Sequence, residues 1–398
     1  MSATTHTIDG VAPTTTEAPA TPQELATLLA SASRNHQQTI ISGGGTKLDW
    51  GTPPARVDLL LRTSGLAAII AHRYGDLTAT IQAGAPLLEV NRTLASHGQW
   101  LPIDTPFDAA TIGGVIATND AGPLRHRFGT PRDLVIGVTL ALTDGRLVKA
   151  GGHVVKNVAG YDLGRFMSGS FGTLAVIVDA TFKLLPIAAA SRTLVARSAD
   201  AGSLAATVSA IRSTDLEPLA LDLHVATSGE YWLLVRFATS PEATDAQVNA
   251  ARAHVGADAA VVSGQEEQAL WADHQRDVWK KTGSVVRVSW LPAALKDVLT
   301  TIEQVATGSG VAAELVGRAG VGAGFLRIDG DDRAQIAAIQ QLRARRATLE
   351  HVVVLRASRA IKDAVDVWGV SPQLASIHRS LKRTFDPEAI LNAGRGPI

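Results

Sequence analysis

The chain has 398 residues, 46% hydrophobic and 19% charged, a globular composition too long for one ordinary core, so two or three domains are expected. Lys and Arg number 37 against 37 Asp and Glu, which argues against a one-sign nucleic-acid surface, and no apolar run reaches the about 18 residues a membrane helix requires. Cysteine is absent, which excludes disulfides, thiolate catalysis, a cysteine-linked flavin and cysteine-ligated iron–sulfur clusters in this chain.

Residues 1–20 are rich in Thr, Ala and Pro and contain no Lys or Arg. They lack the basic start and apolar middle of a secretory signal and read as a disordered tail. Thr21-Pro22-Gln23-Glu24 has the form of a helix start: N-cap, Pro at the first helical position, and Glu closing a capping box. Leu25, Leu28, Leu29 and Ala32 then recur at helical spacing. Thr39–Ser42 and Val57–Leu61 read as strands, and Leu77, Ala79, Ile81 and Ala83 alternate with polar residues as a half-buried strand. Gly84-Ala85-Pro86 turns into a helix with Leu87, Leu88, Val90 and Leu94 inward, stopped by Gly98. Asp133–Leu142 and Arg146–Ala150 flank Thr143-Asp144-Gly145, a hairpin signature, and Thr173–Leu184 forms a long strand. Strands alternate with few helices, so the class is α+β and not a doubly wound parallel sheet.

Beyond Pro186 the pattern changes. Helical stretches near 201–212, 241–255, 265–280, 293–306 and 333–347 alternate with strands near 219–225, 232–237, 285–290, 324–328 and 351–355. That rhythm suits an antiparallel sheet covered by helices. Ser371-Pro372 opens a last helix with Leu374, Ile377, His378 and Leu381 inward, ended by Asp386-Pro387. The resulting division is a tail at 1–20, a first domain at 21–187, a smaller α+β second domain at 188–356, and a C-terminal segment at 357–398.

Glycine clusters carry the functional signal. Ser42-Gly43-Gly44-Gly45-Thr46-Lys47 follows a strand, and its successive N–H groups can form an anion-binding nest. It is not a P-loop, since Lys47 lacks that spacing and no Ser or Thr follows it, nor does it match G-x-G-x-x-G. Taken alone, such a triple-Gly loop is more often a plain turn. A second cluster runs from Leu101-Pro102-Ile103-Asp104-Thr105-Pro106 through Thr111-Ile112-Gly113-Gly114 to Asn119, and Ala121-Gly122 continues it. The stretch from Gly152 to Ile177 places five glycines among β-branched and polar residues before an apolar strand. Such sequences suit main chain laid close against something flat or charged.

Thr111-x-Gly113-Gly114, Lys156-Asn157-Val158-Ala159-Gly160-Tyr161-Asp162 and Gly169-Ser170-x-Gly172-Thr173 resemble the FAD-binding domain of the vanillyl-alcohol-oxidase (PCMH-type) flavoproteins. Within that family the order and approximate spacing of Gly84-Ala85-Pro86, Leu101-Pro102, Gly122-Pro123 and Arg132-Asp133 resemble the FAD-binding subunits of bacterial glycolate oxidases. The likeness covers about 21–187, weakens through 285–292, and returns at Phe385-Asp386-Pro387 and Leu391-Asn392-x-Gly394-Arg395. It implies non-covalent FAD, with Ser42, Gly43, Gly44, Gly45, Thr46 and Lys47 around the pyrophosphate and Thr105, Thr111, Gly113 and Gly114 beside it. Asn119, Ala121 and Gly122 would lie near the flavin ring. Gly169, Gly172, Thr173 and the main chain of Val176 or Ile177 would close the adenine side, with Asn392 returning to the cofactor. His126 is the one histidine placed for a covalent link.

Longer relatives that oxidise 2-hydroxy acids carry a His-x-x-Gly-Asp-x-Asn-x-His segment beside a divalent metal. This chain has no histidine across Gly320–Asp329, so that ligand set is missing and no metal is expected. His224, His254, His274 and His351 are scattered and read as surface or core histidines. Arg287, Trp290 and Arg327 are candidates for a carboxylate pocket over the flavin, since guanidinium suits bidentate carboxylate binding. The plainer reading makes them ordinary strand residues.

The resemblance implies an FAD-dependent oxidoreductase acting on CH–OH donors, a subunit of a glycolate (2-hydroxy acid) oxidase complex. Its partners would be a larger FAD-bearing subunit and an iron–sulfur subunit that takes the electrons. It implies a cytoplasmic location, peripheral at the inner membrane through the complex, and no nucleic-acid partner. Two alternatives stay open: a self-sufficient FAD-dependent hydroxy-acid or alcohol oxidoreductase, and a non-catalytic scaffold with structural FAD.

Overall fold

The computed structural model describes residues 7–152 and 161–397, so Lys156–Gly160 of the glycine-rich motif lie outside the described residues. The chain divides into two compact units. The first comprises Met1–Ala121, Gly129–Ile187 and Val370–Ile398; the second comprises Gly122–Phe128 and Ala188–Gly369. The second boundary thus falls at 369 instead of 356, and the short segment Gly122–Phe128 groups with the second unit.

In the first unit the strands are β1 (Thr15–Glu17), β2 (Thr39–Ser42), β3 (Leu59–Arg62), β4 (Ile69–Arg73), β5 (Thr78–Gln82), β6 (Gln99–Trp100), β7 (Val135–Ala141), β8 (Leu147–Gly151), β9 (Val176–Lys183) and β10 (Leu185–Pro186). Strands β1-β3-β2 form a parallel sheet, and β4-β5-β9-β7-β8 an antiparallel one. The helix Pro22–Arg34 begins with the expected capping box: Glu24 N–H donates to Thr21 Oγ1 at 3.1 Å, and Thr21 N–H donates to Glu24 Oε2 at 3.3 Å. Its Leu25, Leu29 and Ala32 pack with Leu59, Leu61, Val176 and Val178. The β7–β8 hairpin turns where Thr143-Asp144-Gly145 places it.

Three expectations need correction here. From Ile8 to Ala20 the chain is ordered: Ile8 is buried with Ile40, Val57 and Leu60, and β1 pairs with β3. All three β1 side chains are exposed, so the ladder holds this strand and its composition gives no sign of it. Leu88 is exposed, because Leu87, Val90 and Leu94 define the inner face of the helix Leu87–Ala95. In the helix Pro372–Phe385, Leu374 and Ile377 are exposed, whereas His378 is half-buried and Leu381 and Phe385 pack, partly buried, against the core.

The second unit holds β11 (Ala190–Ser198), β12 (Ala220–Val225), β13 (Tyr231–Thr239), β14 (Ala260–Val262), β15 (Ser284–Ser289), β16 (Ala312–Arg318), β17 (Ala323–Asp329) and β18 (His351–Arg356). They make one eight-stranded antiparallel sheet in the order β14-β11-β13-β12-β16-β17-β15-β18. One face carries Leu221, Leu223, Val286, Leu315 and Leu326 against the helices Ala201–Arg212, Pro241–Val255, Leu295–Ser309 and Asp332–Ala344. The other face receives the helix Gly264–Lys280, whose Trp271 packs on Ala220 and Leu234. Among the described residues, no helix is long and apolar enough to cross a membrane.

Candidate functional site

Strand β2 ends at Ser42 and delivers the chain into Gly43–Lys47, which forms one wall of a cleft in the first unit. The loop lies so close to the segment before the helix Ile112–Thr118 that a side chain does not fit. A Cβ on Gly44 would stand 1.7 Å from the Ala109 carbonyl oxygen, and one on Gly43 would stand 2.0 Å from Thr111 Oγ1. The chain's own packing therefore demands glycine at both positions, a reason separate from room for a ligand.

That packing leaves donors free. The N–H groups of Gly43, Gly44, Gly45, Thr46 and Lys47 make no hydrogen bond to any described residue. The Thr111 hydroxyl, on the same cleft, is buried without a partner. Gly44 and Gly45 are exposed and Gly43, Thr46 and Lys47 half-buried, so these donors open onto the cleft, and five successive N–H groups left to it form a nest suited to an anion. A hydrogen bond to a charged group contributes about 1.5–3 kcal/mol, so several together hold a diphosphate firmly.

Of the residues picked from sequence, Ser42, Gly43, Gly44, Gly45, Thr46, Lys47, Thr111, Gly113, Gly114, Gly172, Val176, Ile177 and Asn392 line this one cleft. Thr105, Asn119, Ala121, Gly169 and Thr173 do not border it, and Gly122 belongs to the second unit. Thr105 instead donates to Asp120 at 2.9 Å, Asn119 accepts from the Arg132 N–H, and the Gly169 N–H is taken by the Ile116 carbonyl. Thr173 turns its hydroxyl onto the Ser170 carbonyl. Sequence reasoning missed Ile41, Ala83, Ala117 and Phe171, which supply apolar walls and carry no motif, and Arg395.

Lys47 is not a free phosphate ligand. Its ammonium lies 3.0 Å from Asp120 Oδ2, with both side chains nearly buried, and 5.0 and 5.4 Å from the Phe107 and Trp50 ring centres. The pair fixes the Gly43–Lys47 loop to the segment that follows the helix Ile112–Thr118.

The C-terminal segment ties the two cleft walls together. The Asn392 side chain accepts from the Ile41 N–H at 3.4 Å and donates to the Phe171 carbonyl at 2.7 Å. Lys382 donates to the carbonyls of Thr173 and Leu391, and pairs with buried Asp386, which accepts the Ile390 and Leu391 N–H groups. Burial lowers the Lys382 pKa, against the opposing pull of Asp386. Arg395, also buried, donates to the carbonyls of Leu48 and Trp50. Burial brings its pKa down to about 10, opposed by Asp9 and Asp49, so it stays a cation at neutral pH. A fixed positive charge thus stands in the cleft wall.

In the second unit, Arg287, Trp290 and Arg327 do not make one pocket. Arg327 spends its guanidinium on Glu314 at 3.0 Å, Asp329 at 2.9 Å and the Thr282 carbonyl at 3.1 Å. Arg287 lies opposite Phe325 on β17, whereas Trp290 belongs to the helix-covered core face. Residues three apart along an extended chain point to opposite sides, which separates the two. Glu314 also accepts from His224 and Lys281. Burial alone would raise its carboxyl, but the hydrogen bonds from His224, Lys281 and Arg327 prevail and bring it to about 2. His274 is likewise paired, with Asp222 at 3.1 Å. Among the described residues, no three His, Cys, Asp or Glu side chains cluster as a metal site.

A family model described as an FAD binding domain matches residues 13–151. The chain is 32% identical over 252 residues to glycolate oxidase subunit GlcE of Escherichia coli, covering 63% of this chain and 68% of GlcE. It is 34% identical over 206 residues to glycolate oxidase subunit GlcD of Bacillus subtilis, covering 52% of this chain and 44% of that protein. A D-lactate dehydrogenase of Archaeoglobus fulgidus is 33% identical over 168 residues, 42% of this chain and 38% of its own length. The chain thus spans less than half of GlcD and of this dehydrogenase. Two solved structures share the fold. Physcomitrella patens BBE-like 1 has a TM-score of 0.72 at 15% identity, covering 98% of this chain and 93% of its own. An alkyldihydroxyacetonephosphate synthase has a TM-score of 0.71 at 17% identity, covering 96% and 77%. The bare N–H run thus lies in a segment that such a domain model recognises, and the chain belongs to the PCMH-type FAD-binding flavoproteins, in the family of the glycolate oxidase subunits.

Proposed function

We propose that this chain is the FAD-binding subunit of a complex that oxidises glycolate or a related 2-hydroxy acid and passes the electrons to an iron–sulfur partner. The observation that carries the reading is the run of five unpartnered N–H groups from Gly43 to Lys47, on a cleft shared with Thr111, Gly114 and the Arg395 cation. Those groups suit a dinucleotide diphosphate, and Gly172, Val176 and Ile177 offer main chain to its adenine end. When bound, FAD accepts the electrons and the hydrogen leaving the hydroxyl-bearing carbon. The protein's share is orientation: the nest and Arg395 hold the negative charge, and Asn392 and Lys382 keep the walls in register.

The complex is inferred from the names of the relatives, two of which are subunits of glycolate oxidases. Absence of cysteine requires that any cysteine-ligated cluster reside in another chain. A larger FAD-bearing subunit and a cytoplasmic location, peripheral at the inner membrane through the complex, belong to the same reading.

The test is anaerobic mixing of the FAD-loaded chain with glycolate, D-lactate and 2-hydroxyglutarate, alone and with the proteins that co-purify with it. Bleaching of the flavin by a hydroxy acid within the co-purified complex is the expected result. Full activity in the lone chain would favour a self-sufficient enzyme. Flavin that stays oxidised in every mixture would contradict the proposal and leave FAD a structural role.

A further inference from the structure

We propose that Arg318, Asp222 and His126 of the second unit form a binding site for a small hydroxycarboxylate, with the carboxylate on Arg318 and the hydroxyl donated to Asp222 or His126. The inference rests on the hydroxy-acid reading above and names residues for it that no sequence motif marks.

Arg318 ends β16 and is 2% exposed. Its guanidinium lies over the Phe325 ring at 4.7 Å and makes no hydrogen bond to any described residue. The carboxylate oxygen it faces, Asp222 Oδ2, is 4.0 Å from its Nε, beyond hydrogen-bond reach, and is held by His274 at 3.1 Å. The other Asp222 oxygen, Oδ1, is buried with no partner. The His126 ring packs against Gly320, two residues past Arg318, and its Nδ1 is also buried with no partner. Arg327, on the same face of the same sheet, shows the contrast, because Glu314 and Asp329 satisfy it.

The Arg318 Nε, the Asp222 Oδ1 and the His126 Nδ1, each buried without a hydrogen-bond partner, are costly in a protein interior and call for a partner from outside the chain. Their chemistry selects that partner. A planar guanidinium suits a carboxylate. Asp222 Oδ1 takes only a donor, and burial lowers the His126 pKa, despite the pull of Asp222, which keeps a ring nitrogen available as an acceptor. A ligand bearing one carboxylate and an adjacent hydroxyl meets both demands. A dicarboxylate of the same size sets a negative charge against Asp222.

Isothermal titration of the FAD-loaded, full-length protein with oxamate and oxalate tests this. Oxamate has a carboxylate and an adjacent N–H donor and cannot be oxidised as a hydroxy acid; oxalate lacks the donor. Wild type should bind oxamate about tenfold or more tighter than oxalate, and Arg318→Gln should weaken oxamate by about tenfold or more with flavin content unchanged. Arg318→Lys should recover part of the loss. Should Arg318→Gln fail to fold, Asp222→Asn should collapse the preference for oxamate over oxalate. No oxamate binding by wild type, equal binding by Arg318→Gln, or an unchanged preference in Asp222→Asn overturns the site and leaves water as the missing partner. Flavin bleached by glycolate equally well in Arg318→Gln removes this site but not the proposed function. Arg318-dependent oxamate binding with no hydroxy acid able to bleach the flavin removes the function but not the site.

Discussion

Replacing Gly44 with alanine should abolish tight FAD binding while a neighbouring glycine tolerates the same change. The new methyl carbon would stand 1.7 Å from the Ala109 carbonyl oxygen and 2.8 Å from its carbon, both main chain atoms that no rotamer change can move aside. Relief requires the loop to retreat by on the order of 1 Å, which is enough to break hydrogen-bond geometry at the nest. Loss of two charge-assisted bonds at about 1.5–3 kcal/mol each gives about 3–6 kcal/mol, or about 10²- to 10⁴-fold in Kd. Gly45→Ala is the control. Its φ of +75° costs about 1–2 kcal/mol for an alanine, but the added carbon meets only Leu48 Cδ1 at 3.7 Å. Titration of flavin-stripped protein with FAD, followed by flavin fluorescence, reads both variants. Wild-type affinity in Gly44→Ala would refute the idea that this loop's placement builds the site.

Three further predictions follow from the same geometry. Asp120→Ala leaves the Lys47 ammonium buried and unpaired, so urea unfolding should show a loss of about 3–5 kcal/mol, and a change below about 1 kcal/mol would mean that water already screens the pair. Asn392→Ala strands the Ile41 N–H and the Phe171 carbonyl, at about 1–3 kcal/mol each, so it should lower the stability of the FAD-free protein as well as FAD affinity; lost affinity with unchanged stability would make Asn392 a direct ligand instead. Glu314 is depressed to about 2, so its stabilisation is complete above the unfolded carboxylate range and is lost as pH falls through about 2. The stability difference between wild type and Glu314→Gln should therefore be constant from neutral pH to about 4.5 and shrink toward about pH 2, and a difference that persists unchanged at about pH 2 would contradict the assignment.

Much of the fold was legible because local chemistry and tertiary packing agree. Thr21 and Glu24 announce a capping box, and Thr143-Asp144-Gly145 announces a hairpin whose strands pair where the alternation puts them. The cleft was legible through its glycines, though for a partly different reason than expected, since Gly43 and Gly44 are required by Thr111 and Ala109. What escaped were features held by main chain or by distant partners. Strand β1 exposes every side chain, so no pattern reveals it. Leu374 and Ile377 keep a helical stripe that the structure buries only farther along, at Leu381 and Phe385. The grouping of Arg287 with Trp290 ignored their odd spacing along one extended segment, and nothing near Arg327 in sequence foretold Glu314 as its partner. Arg318 and Asp222 come together through pairing of β12 with β16, which sequence spacing cannot show.

Acid precipitation of the natively purified chain, with flavin measured in supernatant and pellet, tests the central claim most directly. One FAD per chain, released wholly to the supernatant, is the outcome the bare N–H nest requires. A colourless protein that takes up no FAD on titration would contradict it.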